Sequence, residues 1–503
     1  MTRRAIMVWG CSSGAGKSLL TTALCRWAAR RGAKVAPFKA QNMSNNARVV
    51  VGMHGRYGEI GAAQYFQALA ANVEPSVDMN PVLLKPERET TSQVIVHGKV
   101  APGLARLPWR ERSVQLAQAA RESFLRLRGQ YDLIIMEGAG SPAEINLAEQ
   151  DYVNLDAARW AAATGEFASL LIADIDRGGA FAHAYGTWAL LPDDLKPTLA
   201  GVVLNKFRGD PGLLNPGPQQ LQAMTGVPMA ALLPMRRDHG LPEEDGVFDQ
   251  TPATMPMPLQ PGSPSASPSA RTVAIIAYPQ VSNLDEFQPL RQVPGLRLVW
   301  ARSVADLHGA DWIVLPGSKQ VSGDLAWLRQ QGLDRMLRLY AAAGRPLLGV
   351  CGGLQMLGQT LSDPDGVDGD PGAWQGLGLL SLATRYQAPK RVGRVHGRFQ
   401  GLTGAWAGLN GTSVAGYEIR QGQTTAIDRE TTKAVFASDD GHPLGWSAGS
   451  VLATSVHGLF ESPAVLRALF GVSVRSLEDS FDGLAEFIDA HFAPDLLSRL
   501  TGC

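Results

Sequence analysis

An excess of charge of either sign is missing from this sequence: 46 lysines and arginines face 46 aspartates and glutamates, a formal balance of zero. That balance argues against a general polyanion-binding surface and against an electrostatic membrane anchor, so neither nucleic acid nor membrane is an expected partner. Cysteine is scarce as well. Cys11, Cys25, Cys351 and Cys503 are too few and too scattered for a disulfide framework or a clustered zinc site, which fits a reducing compartment. No uninterrupted apolar run reaches the ~18 residues needed to span a bilayer. Arg3 and Arg4 precede the apolar stretch Ala5 to Trp9, but that stretch is too short for a signal peptide and runs straight into a glycine-rich loop. The expected location is therefore the cytoplasm. Charged residues make up 18% and apolar residues 45%, which excludes a disordered or fibrous chain. At roughly 150 residues per domain, 503 residues give room for two large or about three smaller compact units.

One stretch differs from the rest. From Gln250 to Ala270 (QTPATMPMPLQPGSPSASPSA) proline, serine and threonine dominate, a composition that forms neither a core helix nor a sheet interior. It reads as a linker at residues 250–270 between domains 1–249 and 271–503. Before it, short apolar runs (AIMVW, AKVAPF, YDLIIME, SLLIADI, LAGVVLN) alternate with helical patterns such as Ser18 to Arg31. That alternation predicts an α/β fold, a parallel sheet covered by helices. After it the pattern restarts with TVAIIAY, LRLVWA, DWIVLPG and PLLGVCGG, which predicts a second α/β unit. The glycine-richer stretch from Leu361 to Arg429 suggests short strands in an antiparallel extension.

Directly after the first apolar run comes Gly10-Cys11-Ser12-Ser13-Gly14-Ala15-Gly16-Lys17-Ser18, followed by a helical pattern. Strand, glycine loop and helix are the context in which backbone N–H groups of Ser12, Ser13, Gly14 and Gly16 cradle phosphate. Lys17 then neutralises phosphate charge, and the Ser18 hydroxyl ligates magnesium. The spacing is one residue longer than the usual phosphate loop, since five residues separate Gly10 from Gly16. At the end of the second run, Lys39 in PFKAQNMSNN is placed for a phosphate or a substrate carboxylate, because strand ends of a doubly wound sheet face one crevice. Glu137, at the end of the run YDLIIME, is placed to coordinate magnesium directly or through water. Asn205 in VLNKFRGD carries both a donor and an acceptor and is a candidate for the adenine edge. These residues together point to ATP and Mg2+.

In the second half, Cys351 lies between the buried run PLLGV and the helical pattern GGLQMLG. Such a tight turn presents the sulfur at a helix N-terminus and favours a nucleophilic thiolate. Attack on an amide needs an acid/base partner and an oxyanion site. The backbone N–H groups of Gly352 and of Gly317, in LPGSK, are the candidate oxyanion donors. His457 in VHGLF is the candidate partner, with His396 as a rival in the same half.

The segments PFKAQNMSNN, EGAGSPAEINL, DIDRGGAF, NKFRGD, LPGSK, GVCGGLQMLG, GYEIRQG and VHGLF together make the chain resemble the cobyric acid synthase family of glutamine-dependent amidotransferases. The resemblance covers nearly the whole chain apart from the linker. It implies an N-terminal synthetase domain similar to dethiobiotin synthetase, which shares the longer phosphate loop, and a C-terminal class I glutaminase-like domain. It further implies a corrin substrate whose b, d, e and g carboxylates are amidated with ammonia from L-glutamine, Cys351 as nucleophile, His457 rather than His396 as its partner, and Gln355 as a contact for glutamine. In ordinary class I glutaminases a glutamate stands two residues after the histidine. Here Leu459 takes that place, as in the family, so the expectation is a Cys351–His457 dyad, and the sequence leaves open whether Glu461, four residues after the histidine, orients it. Arg420 stands where the family commonly has a histidine. Two other readings compete: the sister enzyme that amidates the a and c carboxylates of cobyrinic acid, and a phosphate-loop partitioning ATPase whose glutaminase-like half only binds a partner.

Overall fold

Ala5, Ile6, Met7, Val8 and Trp9 are all buried, and they alternate between two cores: Ala5, Met7 and Trp9 on one face, Ile6 and Val8 on the other. A strand apolar on both faces belongs inside a sheet covered on both sides. In the computed structural model, which describes residues 3–88, 91–237, 239–242 and 271–503, this strand, Arg4–Gly10, has neighbours on both edges. The six-stranded sheet is parallel throughout, in the order Met229–Pro234, Leu199–Phe207, Glu166–Asp174, Arg4–Gly10, Leu133–Glu137, Val35–Phe38. From Arg4–Gly10 the chain first builds one side of the sheet and later the other. The C-terminal end of that strand is therefore a topological switch point, where α/β sheets bind ligands. No helix among the described residues is long and apolar enough to cross a membrane.

The chain divides into two compact units, but not at a single seam: Met1–Leu241 joins Ser476–Cys503, and Pro242–Arg475 forms the other. The expected second domain, 271–503, thus loses its tail to the first unit, and the expected linker 250–270 lies outside the described residues. The cause of the tail's placement is apolar burial joined to charge pairing. Helix Leu477–His491 opens on a capping box, with Ser476 Oγ accepting from Asp479 N at 3.0 Å. Its Phe481, Leu484, Ala485 and Ile488 enter the same core as Leu20, Leu24 and Ala28 of helix Lys17–Arg30. Arg26 pairs with Glu478 at 2.7 Å and Asp482 at 2.8 Å, and Trp27 Nε1 donates to Asp489 at 2.6 Å. Beyond the helix, Ala493 N donates to Ala230 O at 2.8 Å, tying the tail to an edge of the sheet. Ile488→Ala removes a side chain with 0% exposure from this seam. It is expected to cost about 2–5 kcal/mol, measured as a lower urea midpoint for the full chain. An unchanged midpoint would mean that the tail adds nothing to the first unit.

In the second unit, five strands run parallel in the order Leu296–Ala301, Arg271–Ile276, Trp312–Leu315, Leu347–Val350, Val451–Thr454. Antiparallel strands Pro443–Ala448, Lys433–Ser438 and Leu382–Phe399 continue the sheet. The extension expected near Leu361 to Arg429 is antiparallel except where Thr360–Asp363 runs parallel to Leu382–Phe399, and its main strands are long rather than short: Leu382–Phe399 spans 18 residues and pairs with Ser413–Ala426, which spans 14.

Candidate functional site

At the switch point of the first unit, Gly14 (φ 69°) and Gly16 (φ 106°) take left-handed backbone conformations that few other residues adopt. They turn the chain from strand Arg4–Gly10 into helix Lys17–Arg30. Lys17 is buried, and its Nζ donates to Ser12 O and Gly140 O, both at 2.9 Å. The lysine thus lies folded over its own loop. Ser12 is half-buried, while Ser13 and Gly14 are exposed at the mouth. Asn205 differs from the expectation. Its Nδ2 donates to Ala15 O at 2.9 Å, and a Cβ on Gly16 would collide with that same nitrogen, so the buried amide braces the loop instead of offering an open edge to adenine. A neighbour with no sequence signal helps it: Lys206 Nζ bridges Gly14 O at 2.8 Å and Asp174 Oδ2 at 2.9 Å.

Glu137, at the end of strand Leu133–Glu137 and 1% exposed, gathers the remaining predicted groups. Its Oε1 accepts from Ser18 Oγ at 2.9 Å and Lys39 Nζ at 2.8 Å, and its Oε2 accepts from Gln67 Nε2 at 2.5 Å. Burial pushes its pKa up, but the Lys39 charge, the hydrogen bonds from Lys39 and Gln67, and the Lys17 charge together hold it below the usual carboxylate range. The acid therefore stays ionised at neutral pH. Gln67 was missed because its only sequence cue is a place on the amphipathic helix Ala62–Ala70. A hydroxyl and an ionised carboxylate side by side at a phosphate loop are hard oxygen donors of the kind magnesium takes alongside phosphates and water. No cluster of three or more His, Cys, Asp or Glu suited to a metal occurs among the described residues, so protein atoms would supply only part of such a coordination shell.

In the second unit, Cys351 has φ 50° and ψ −101°, a strained turn between strand Leu347–Val350 and helix Gly352–Leu357. Such a conformation costs about 1–3 kcal/mol and persists only where surrounding contacts impose it. Cys351 N donates to Thr454 O at 2.8 Å, and Sγ lies 3.8 Å from Ile419 O. His457, 1% exposed, lies close enough to the thiol for the charge of Cys351 to act on its ring. His396, by contrast, is exposed on strand Leu382–Phe399, paired with Ala415. Next to the pair stand the two candidate oxyanion glycines. A Cβ on Gly317 would lie 3.0 Å from His457 Cε1, and one on Gly352 would lie 2.6 Å from Ser318 N, so neither position has room for a side chain. Beneath this loop Asp324 accepts from Ser318 Oγ at 2.6 Å and Gln280 N at 2.9 Å. Burial pushes its carboxyl up to about 7.

Gln355 is buried one turn beyond Cys351, with Oε1 accepting from Tyr386 OH at 2.8 Å; a Cβ on Gly422 would be 2.6 Å from its Nε2. Arg420 pairs with buried Glu418 at 2.5 Å, and Glu418 also accepts from Ser455 Oγ at 2.9 Å. The expected dyad is incomplete as a description. His457 Nδ1 lies 2.9 Å from Glu286 Oε1, a carboxylate with 0% exposure, while Glu461 is not the partner of Nδ1. Burial alone would lower the His457 pKa, but the charge of Glu286, then that of Cys351, raises it to about 10.

Two family models match. One described as a CobQ/CobB/MinD/ParA nucleotide binding domain covers residues 6–246, and one described as a CobB/CobQ-like glutamine amidotransferase domain covers residues 272–465. A cobyric acid synthase of Methylibium petroleiphilum is 58% identical over 500 residues, 99% of this chain and 96% of its own. One from Variovorax paradoxus is 56% identical, covering 99% of this chain and 100% of its own. A third, from Paracidovorax citrulli, is 55% identical and covers 98% of each.

Proposed function

Because the chain belongs to the cobyric acid synthase family, we propose that its two units divide one amidation between them, one activating a corrin carboxylate and the other releasing ammonia from glutamine. It is a glutamine-hydrolysing carbon–nitrogen ligase of cobalamin biosynthesis with an ATP-binding phosphate-loop domain. Its substrate is adenosylcobyrinic acid a,c-diamide, amidated at the b, d, e and g side chains, and we place the reaction in the cytoplasm, where ATP and glutamine are supplied. The observation that carries this reading is the pairing, in one chain, of a phosphate loop joined to Glu137 with a strained Cys351 whose charge acts on buried His457.

A carboxylate does not exchange with ammonia until one oxygen becomes a leaving group. In the first unit the carboxylate oxygen attacks the γ-phosphorus of ATP, ADP departs, and an acyl phosphate forms. Lys17 leaves its two carbonyl partners to meet the phosphates, and Lys39 neutralises charge between Glu137 and the acceptor. Ser18 and Glu137 would hold Mg2+, which when bound neutralises phosphate charge.

In the second unit the thiolate of Cys351 attacks the side-chain carbonyl of glutamine. The N–H groups of Gly352 and Gly317 receive the oxyanion, and Gln355 helps hold the substrate. His457 gives a proton to the departing ammonia, then takes one from the water that hydrolyses the thioester to glutamate. Ammonia attacks the acyl carbon, and phosphate leaves. Mass spectrometry after incubation with ATP, glutamine and each corrin tests the substrate. Four amides gained on the a,c-diamide are expected; two gained on cobyrinic acid instead would transfer the assignment to the sister enzyme.

A further inference from the structure

Class I glutaminases place an acid two residues after the histidine, and Leu459 removes that possibility here. A Cys–His pair without an acid leaves the imidazole free to choose its tautomer and rotation, and leaves the imidazolium without a counter-charge. The structure supplies the missing contact from a distant part of the unit. Glu286 lies in the helical turn Leu284–Gln292, 171 residues before His457. One carboxylate oxygen meets His457 Nδ1 at 2.9 Å, and the other accepts from Gly458 N at 3.0 Å. A carboxylate that grips the ring and the next backbone N–H fixes both the rotation of the ring and its distance from the main chain. With Nδ1 committed to Glu286, Nε2 is left for the thiol.

The segment leading to Glu286 shapes the rest of the centre. Ser282 pairs with Gly317 in a short antiparallel ladder, so the presumed oxyanion strand is held by the chain that leads to the acid. Asn283, in the left-handed conformation (φ 55°), sets its Nδ2 at 3.3 Å from both ring nitrogens. Tyr417 stacks on the imidazole, with ring centroids 5.3 Å apart at 20°. Glu286 and Cys351 bring charge to the ring, and the phenol of Tyr417 is a further ionisable group facing it.

We propose that Glu286 is the positioning acid of the glutaminase, holding His457 in its reactive orientation and offsetting the charge of its imidazolium while the thiol is deprotonated and ammonia leaves. This rests on the amidotransferase reading above. The proton never passes to Glu286: it moves between Cys351 and His457 Nε2, then to the leaving nitrogen. Asp285, next in the chain, does not share the role, since both oxygens on the His457–Gly458 dipeptide belong to Glu286.

The test compares E286Q, E286D and E461Q in the full-length protein. E286Q is expected to lower kcat for glutamine hydrolysis at least about a hundredfold, with KM for glutamine changed less than about threefold, because the orienting charge acts in the transition state. It should also shift the alkaline limb of kcat/KM to lower pH by at least about one unit, because it removes the carboxylate charge beside Nδ1 that raises the His457 pKa against burial. E286D, which keeps the charge on a shorter arm, should recover part of kcat and restore the limb. E461Q should leave the limb in place. Amidation supplied with ammonium salts reports that the chain has folded; if E286Q loses it, E286D and its pH profile decide. An unchanged kcat and limb in the Glu286 variants, or a shift produced by E461Q instead, overturns the proposal. If C351A retained glutamine hydrolysis, the amidotransferase reading itself would fail, a different outcome from any of these.

Discussion

Cys351→Ala is expected to reduce glutamine-dependent amidation by at least about a thousandfold while amidation supplied with high ammonium continues. The substitution removes the sulfur whose charge acts on His457 and adds no bulk in a turn already bounded by Thr454 and Ile419. What remains is the activated carboxylate in the other unit, which reacts with any ammonia that reaches it. Parallel time courses with the two nitrogen donors, read as amides added to the corrin, measure the separation. Loss of both activities would show that the two reactions are not chemically independent. A parent chain that hydrolyses no glutamine, and whose function Cys351→Ala leaves intact, would support a half that only binds a partner.

Lys17→Ala is expected to remove amidation with either donor, again by at least about a hundredfold, since both routes need the same acyl phosphate. The lysine is buried and rests on two backbone carbonyls, Ser12 O and Gly140 O, so its loss leaves the loop without its charge and without one link to the turn that follows strand Leu133–Glu137. Binding supplies a second measure. A ligand at one hundred times its Kd stabilises the folded chain by about 2.7 kcal/mol, so Mg-ATP should raise the melting temperature of the parent and do so much less for the variant. Amidation surviving in Lys17→Ala would remove the phosphate-loop assignment.

How far the sequence goes depends on whether partners lie close together in it. The loop from Gly10 to Ser18 was legible because strand, glycines, lysine and helix are contiguous, and their roles follow from backbone geometry. Cys351 was legible for the same reason. The residues that reach these centres from elsewhere were not. Glu286 sits in NLDEFQ, which has no feature to separate it from a surface acid, and it reaches His457 through the ladder between Ser282 and Gly317 and the packing of Phe287 on Phe460. Asn205 was correctly placed at a strand end, yet its direction depends on how closely Gly16 approaches it, and spacing does not encode that distance. Helix Leu477–His491 shows its cap and apolar face in sequence, but those features do not say which of two cores receives it.

That helix carries a consequence for how the protein comes into being. Domains emerge from the ribosome in order and begin folding as they appear. Here the stretch Met1–Leu241 is synthesised long before Ser476–Cys503, so the core around Leu20, Leu24 and Ala28 stays uncovered until that segment has been made. The nascent chain therefore carries an exposed apolar face through the whole synthesis of Pro242–Arg475, a natural target for chaperones. Premature stop codons anywhere in helix Leu477–His491 would damage the part of the enzyme that was made first.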